Sequence, residues 1–278
     1  LKLKKGLPKT KQPPEQKGGN EMDLSTEEVK QVTQRYGADF VGVVKADKIP
    51  ESIPPRPAIS VLKGAKSVIV FGIRMLSGSL ESPNLRVATT SNLAMYQEIT
   101  HISYQLGRFL EDKGYLAAVI PPYLPIEMSR ETRGLVGDLS LRHAAVGAGL
   151  GVLSKNRLLL TSQWGPRVRL GAVVSDAALQ GDEPMSQEMC EDCQICINAC
   201  PVSAISPEGK VDTAKCSAHV LTYGLGSFIK YFSEAITKPT EEAQRLLRDP
   251  YFWNLYQCLS VGGYYGCSRC VEVCPVGE

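Results

Sequence analysis

No run of apolar residues in this 278-residue chain approaches the roughly 18 that an α-helical membrane span needs, so no such span is expected. Charge of one sign is equally scarce. Lysine and arginine total 31 against 29 aspartates and glutamates, and a formal net charge of +2 gives no global pull toward nucleic acid or an anionic membrane. The first residues hold neither an apolar h-region nor a twin-arginine pair, and the chain reads as soluble and cytoplasmic. Cysteine breaks this pattern. There are nine, an odd number gathered toward the C-terminus, which argues against a secreted disulfide framework and for metal ligation in a reducing compartment.

Residues 1–22 (LKLKKGLPKTKQPPEQKGGNEM) carry most of the positive excess, with proline, glycine and no apolar periodicity. Such a segment buries too little surface to offset its ordering entropy and reads as a flexible basic arm. From 23 to 185 helix and strand signals alternate. DLSTEEVKQVTQRYGA reads as a helix that Ser25 or Thr26 can cap. DFVGVVKA and KSVIVFGIRM read as strands, the second a nearly continuous apolar run suited to a buried sheet. The proline-rich KIPESIPPRPAIS between them excludes regular structure. SNLAMYQEITHISYQLGRFLEDKGY is a long amphipathic helix ending at Gly114, YLAAVIPP a third strand, and LSLRHAAVGAGLGVLSKN a helix entering a glycine-rich turn. RLLLTSQWGPRVRLGAVVSDAAL reads as two strands joined by a turn at Trp164–Pro166. The mixture gives an α/β or α+β core, with residues 186–278 as a separate cysteine-rich module.

Within that module, CEDCQICINACP spaces Cys190, Cys193 and Cys196 as CxxCxxC, followed by Cys200 and Pro201. Short loops of this kind let three thiolates converge on one [4Fe–4S] cubane while the fourth points to a neighbouring cluster. YYGCSRCVEVCP repeats the pattern in part, with Cys267, Cys270, Cys274 and Pro275, and its opening cysteine position falls on Tyr264. If the proline-adjacent cysteine serves the other cluster, cluster one takes Cys190, Cys193, Cys196 and Cys274. Cluster two takes Cys200, Cys267, Cys270 and either Cys216 or Cys258. Zinc also uses CxxC pairs but rarely a CxxCxxC row followed by CP. Two clusters this close pass single electrons, and the module offers no substrate pocket of its own.

In VGAGLGVLSKN, Gly147, Gly149 and Gly151 imitate a dinucleotide fingerprint. They follow a helix rather than a strand, and no acidic residue closes a βαβ unit, so tight packing or close approach of a ligand to the backbone explains them better. The block LRHAAVGAGLGVLSKNRLLLTSQWGPRVRLGAVVSDAAL, followed by the cysteine pattern, resembles the core of cobalamin-dependent reductive dehalogenases and epoxyqueuosine reductases. The matching runs are Ala148–Gly151, Lys155–Asn156, Leu158–Leu160 and Gly165–Gly171, and KGAKSVIVFGI near residue 63 matches the early strand. The resemblance covers residues 37–278.

That resemblance implies an α+β fold, with a nitroreductase-like α/β core holding a base-off cobalamin and a C-terminal bacterial-ferredoxin-like module holding two [4Fe–4S] clusters. It implies a reductase with a small-molecule substrate and a low-potential electron donor such as ferredoxin or flavodoxin. The KCSAH context matches the family's isolated ligand cysteine, which selects Cys216 and leaves Cys258, inside the helix YFWNLYQCL, as a buried small hydrophobe. The position of the epoxyqueuosine reductases' catalytic aspartate falls on Leu135, with Asp138 off register, and nucleic acid is not an expected partner. The alternatives are an iron–sulfur electron-transfer protein without corrinoid and an enzyme acting on transfer RNA as epoxyqueuosine reductases do.

Proton donors are expected ahead of AGLG: Tyr123, Arg133, Asp138, Arg142 and His143, with Tyr96 and Tyr104 behind them. Each has an ordinary alternative, Asp138 and Arg142 as a helix cap or surface pair and His143 as a hydrogen-bonded core residue. His101 and His219 read as structural. The amide and phosphate edges of a corrinoid want backbone amides and cationic or amide side chains, which points to Gly149, Gly151, Lys155, Asn156, Arg167 and Arg169. Arg167 and Arg169 also fit exposed, alternating strand positions.

Overall fold

The computed structural model describes residues 24–50, 56–132, 136–190, 193–262 and 267–277. The expected arm at 1–22, the candidate Arg133 and the register position Leu135 lie outside the described residues.

The strands are β1 (Phe40–Lys45), β2 (Ser67–Arg74), β3 (Ala117–Val119), β4 (Val152–Leu153), β5 (Leu159–Leu160) and β6 (Val168–Ser175). The helices of the front part are α1 (Thr26–Arg35), α2 (Ser77–Leu80), α3 (Leu85–Asp112) and α4 (Leu141–Gly147). The cysteine-rich part adds α5 (Ile195–Asn198), α6 (Thr213–Val220), α7 (Leu225–Ile236), α8 (Thr240–Leu246), α9 (Pro250–Val261) and α10 (Arg269–Glu272).

Four strands form one sheet in the order β1-β2-β6-β3, and every neighbouring pair is antiparallel. The near-continuous apolar run of β2 has a simple cause, because helices cover both faces of the sheet. Val68 and Val70 pack with Ala144, Ala145 and Ala148 on the side of α4. On the opposite face, Phe71 and Ile73 pack with Ile99 and Ile102 of α3, and Ile69 packs with Leu106. Burying such side chains contributes about 1.5–3 kcal/mol each, so the sheet and its two helical layers hold the front part together.

Local signals set the element ends. Ser25 accepts a hydrogen bond from the Glu28 amide at 3.0 Å and caps α1. Asn84 caps α3 through the Arg86 amide, so that helix starts before the expected Ser91. Gly114, at φ +90°, turns the chain out of α3 in the left-handed region that favours glycine. Two expectations need correction. The segment from Lys48 to Ser60 contains a 3-10 turn at Ala58–Ser60, formed as Ala58 buries against the sheet. Strand β5 pairs with β4 just before it, not with β6, since Gly151 lets the backbone close into a tight hairpin.

In the cysteine-rich part, α7 and α9 pack through Phe228 on Phe252 and Tyr231 on Tyr251. Asp249 caps α9 and Pro250 occupies its first turn, the position where a missing N–H costs nothing. Among the described residues no helix is long and apolar enough to cross a membrane.

Candidate functional site

The two cysteine loops fold as copies of each other. Cys196 is the second residue of α5 and Cys270 the second residue of α10. The residues opening these turns, Gln194 and Ser268, have nearly the same backbone angles, φ −120°, ψ 12° and φ −124°, ψ 11°. The closing residues Ala199 and Val273 share φ −82°. A CxxC segment wound into one short turn thus recurs, carrying the partial sequence repeat into three dimensions.

The thiols fall into two neighbourhoods. Burial first, and then nearby Cys190, Cys274 and Cys193, raise the pKa of Cys196. Burial also leads for Cys216, followed by Cys200 and Cys267. Cys270 is pushed up to about 12, by burial and then by Cys267, Cys196, Cys216 and Cys200. Cys274 is raised by burial, opposed by a backbone hydrogen bond at Val276 and by Arg167, and raised further by Cys190 and Cys193. The structure therefore brings Cys190, Cys193, Cys196 and Cys274 together, and Cys200, Cys216, Cys267 and Cys270 beside them. Cys258 is only 3 % exposed, and burial alone pushes its thiol up to about 12 with no cysteine neighbour contributing. Among the described residues, no three histidine, cysteine, aspartate or glutamate side chains close around one metal-ion position.

The front part seats these loops through one short stretch. The Lys155 amide donates to Cys190 Sγ at 3.4 Å, and Asn156 Nδ2 donates to the Cys270 carbonyl at 3.3 Å. Asn156 is buried, and its Oδ1 accepts from the Leu158 amide and from Ser154 Oγ. Further on, Arg167 donates from Nη1 to the Val276 carbonyl at 2.9 Å and from Nη2 to the Cys274 carbonyl at 2.6 Å. Gly165 is required here. Its φ is +53°, and a Cβ would lie 1.9 Å from the Val276 oxygen.

On the other side of the same stretch lies a cavity of about 640 Å³. Arg157, Leu158 and Leu159 line it, so adjacent residues of one segment face the cysteine loops and the cavity in turn. Tyr123, Arg142, His143 and Arg169 are in its wall, together with Tyr96, Arg56 and Arg157. Tyr96 and Tyr123 stack with centroids 5.0 Å apart, and the Tyr123 hydroxyl donates to the Gly262 carbonyl at 2.7 Å. Ser140 Oγ and His143 Nδ1 share a hydrogen bond of 2.6 Å. Arg142 keeps solvent-accessible surface because it faces the open cavity, yet its guanidinium is surrounded by protein and bonds the Arg157 carbonyl. Burial, then the Arg157 guanidinium, lowers its pKa. Burial, then Arg142 and Arg157, lowers that of His143.

Of the described candidate donors, Tyr123, Arg142 and His143 reach the cavity, and Asp138 is exposed outside it. Of the six residues expected to hold a corrinoid, Arg169 lines the wall, and its Nε donates to Asn92 Oδ1 at 3.0 Å. The other five do not line this cavity. Lys155, Asn156 and Arg167 bond the cysteine loops, whereas Gly149 and Gly151 admit the backbone of Glu183 and Leu160, whose oxygens would lie 2.3 and 2.0 Å from an added Cβ. Arg56 and Arg157 went unnoticed in the sequence. Arg56 sits among prolines, and nothing in the sequence announces the left-handed backbone of Arg157, φ 62°.

No family model matches the chain. It is 27% identical over 214 residues to the tetrachloroethene reductive dehalogenase of Desulfitobacterium hafniense, covering 75% of this chain and 32% of that protein. It is also 27% identical over 265 residues to the epoxyqueuosine reductase of Francisella cf. novicida, covering 88% of this chain and 61% of that one. This chain is related to both groups of reductases. It spans only a third to three-fifths of the length of these curated relatives. Among solved structures, a catabolic reductive dehalogenase in complex with 3-bromo-4-hydroxybenzoic acid superposes with a TM-score of 0.62 at 20% identity, covering 95% of this chain and 33% of that one. An epoxyqueuosine reductase with a transfer-RNA stem loop gives 0.57 at 20% identity, covering 90% and 64%. The mixed helix–strand fold is the one these two groups share.

Proposed function

We propose that this chain is the reducing core of a cobalamin-dependent iron–sulfur oxidoreductase acting on a small organic substrate. The observation that carries this reading is the stretch Lys155–Leu159, whose first two residues bond the cysteine loops while the next three line the cavity. The front part is then a nitroreductase-like corrinoid-binding core and the rest a ferredoxin-like two-cluster module.

Cluster one is held by Cys190, Cys193, Cys196 and Cys274, and cluster two by Cys200, Cys216, Cys267 and Cys270. The chemistry of the donors fits: eight thiols in two neighbourhoods, with backbone amides of Lys155 and Ala204 directed at Cys190 and Cys200 sulfurs. Such N–H···S bonds stabilise thiolate charge and tune the potential of a bound cluster. A corrinoid in the cavity would stand against Tyr123, Arg142, His143 and Arg169, with His143 oriented through Nδ1 by Ser140. When bound, the clusters supply single electrons and the corrinoid a strongly reducing cobalt centre.

The protein's own tasks are to position substrate, exclude water and deliver a proton. Tyr123 is the proton donor in this reading, because it lines the cavity and Tyr96 fixes its ring from one face, and its hydroxyl would turn from the Gly262 carbonyl to the substrate. His143, its pKa lowered by burial and two guanidiniums, is neutral at pH 7 and serves as a hydrogen-bonding wall residue rather than an acid. Equilibrium dialysis of anaerobically reconstituted protein against hydroxocobalamin tests the assignment. Tight uptake with a base-off visible spectrum is expected, whereas clusters without cobalamin uptake would make the chain an electron-transfer protein.

A further inference from the structure

We infer that Arg142 and Arg157 form a subsite for an anionic oxygen group, such as a carboxylate or phosphate, on the organic molecule that fills the cavity. The inference rests on the cavity reading above and names the ligand class it selects. Four arginines line this cavity, and among the described residues no aspartate or glutamate does. Arg56 is neutralised by Glu127 at 2.6 Å. Arg169 is directed at two neutral acceptors, Asn92 Oδ1 and the Val168 carbonyl. Arg142 and Arg157 have no carboxylate partner among the described residues, and they stand side by side, with Arg142 bonded to the Arg157 backbone carbonyl.

Two adjacent guanidiniums at a partly desolvated wall repel each other, and an anion between them removes that repulsion while accepting charge-assisted, bidentate hydrogen bonds. The depressed pKa of Arg142, caused partly by Arg157, reports the same crowding of positive charge. The remaining wall is largely apolar, with Pro121, Leu139, Leu158 and Val168 among its residues. An apolar body carrying one anionic end matches this surface. Either the substrate or the phosphate of a cobalamin nucleotide tail supplies such an end.

The test uses the full chain, anaerobically reconstituted with iron and sulfide, and two ligand pairs that differ in charge. Calorimetry compares benzoate with benzamide, and equilibrium dialysis compares hydroxocobalamin with cobinamide, which lacks the phosphate-bearing tail. We expect a preference of about tenfold for the charged member of at least one pair, in line with charge-assisted hydrogen bonding. Arg142→Gln and Arg157→Gln should abolish it, and Arg142→Lys should retain most of it, with iron content unchanged in all three. Loss confined to the benzoate pair assigns the anion to the substrate, and loss confined to the corrinoid pair assigns it to the cofactor. No preference in either pair, or a preference that survives both glutamine variants, overturns the inference. Failure to bind either corrinoid would sink the cofactor reading instead, and the benzoate pair would still decide the subsite.

Discussion

The cysteine loops and the cavity wall are two unbalanced regions of opposite sign. In the loops eight thiols gather, burial and neighbouring cysteines raise the pKa of Cys196, Cys216, Cys270 and Cys274, and a single arginine, Arg167, opposes this at Cys274. In the cavity four arginines gather, burial and then Arg157 lower the pKa of Arg142, and carboxylates are absent from the described wall. Native proteins seldom bury like groups together without a counter-charge. In the proposed reading each region is completed by a partner of opposite charge, iron in one and an anionic organic group in the other, and the stretch 155–159 lies between them.

Breaking the loop side should give the largest effect. Cys216→Ala removes a corner from the second thiol set and is expected to lose one cluster, about four irons per chain, with loss of electron delivery. Cys258→Ala, which touches neither set, should keep all its iron and cost only the packing of a small buried group. Iron assays on the two variants check this contrast, and equal losses from both would reverse the ligand choice.

Breaking the cavity side at Tyr123 should come next. Tyr123→Phe keeps the stack on Tyr96 but removes the hydroxyl, and steady-state kinetics should show kcat lowered about 10²–10⁴-fold, with cluster and cobalamin content unchanged. An unaltered kcat would remove Tyr123 from the proton path.

The seam between the regions should be weaker still. Arg167→Ala withdraws two charged hydrogen bonds from the Cys274 and Val276 carbonyls, an expected loss of about 2 kcal/mol. It is read as faster release of iron to a chelator, while an unchanged release rate would mean that the loop is seated by other contacts.

The smallest effect concerns His143, whose folded pKa lies below its ordinary value because of burial, Arg142 and Arg157. The stability gained from keeping this imidazole neutral is fully present above the unfolded value of about 6.5. It is lost as pH falls through the lower folded value, because the unfolded chain takes up the proton first. His143→Gln should therefore flatten the stability curve in that window, and an identical curve in denaturant titrations would contradict the assignment.

The two regions also differ in how far the sequence reveals them. Cysteine spacing carries its own geometry, because a thiolate every third residue in a short turn has few places to go. The grouping of Cys274 with Cys190 follows from that spacing and the proline-adjacent cysteine, whereas the choice of Cys216 over Cys258 rests on the family resemblance of the KCSAH context. Strands β1, β2 and β6 and the cap of α1 follow from runs of β-branched residues and from Ser25. The cavity was only half legible. Its wall is assembled from Arg56, Tyr96, Tyr123, Arg142, Arg157 and Arg169, which are far apart in the chain and meet only through the sheet order β1-β2-β6-β3. The glycines of the AGLG run read as tight packing or as a ligand cradle, because a close backbone approach has the same signature whether the visitor is a ligand or the chain's own Glu183. Helices α7 and α8 carry no side-chain cap of their own and depend on packing, α7 against α9 and α8 against α7.

The most direct measurement is a metal count on the full chain after anaerobic reconstitution with iron, sulfide and hydroxocobalamin. Two four-iron clusters and one corrinoid give about eight irons and one cobalt per chain. Four irons, or eight without cobalt, would contradict the pairing of a two-cluster relay with a corrinoid-holding cavity.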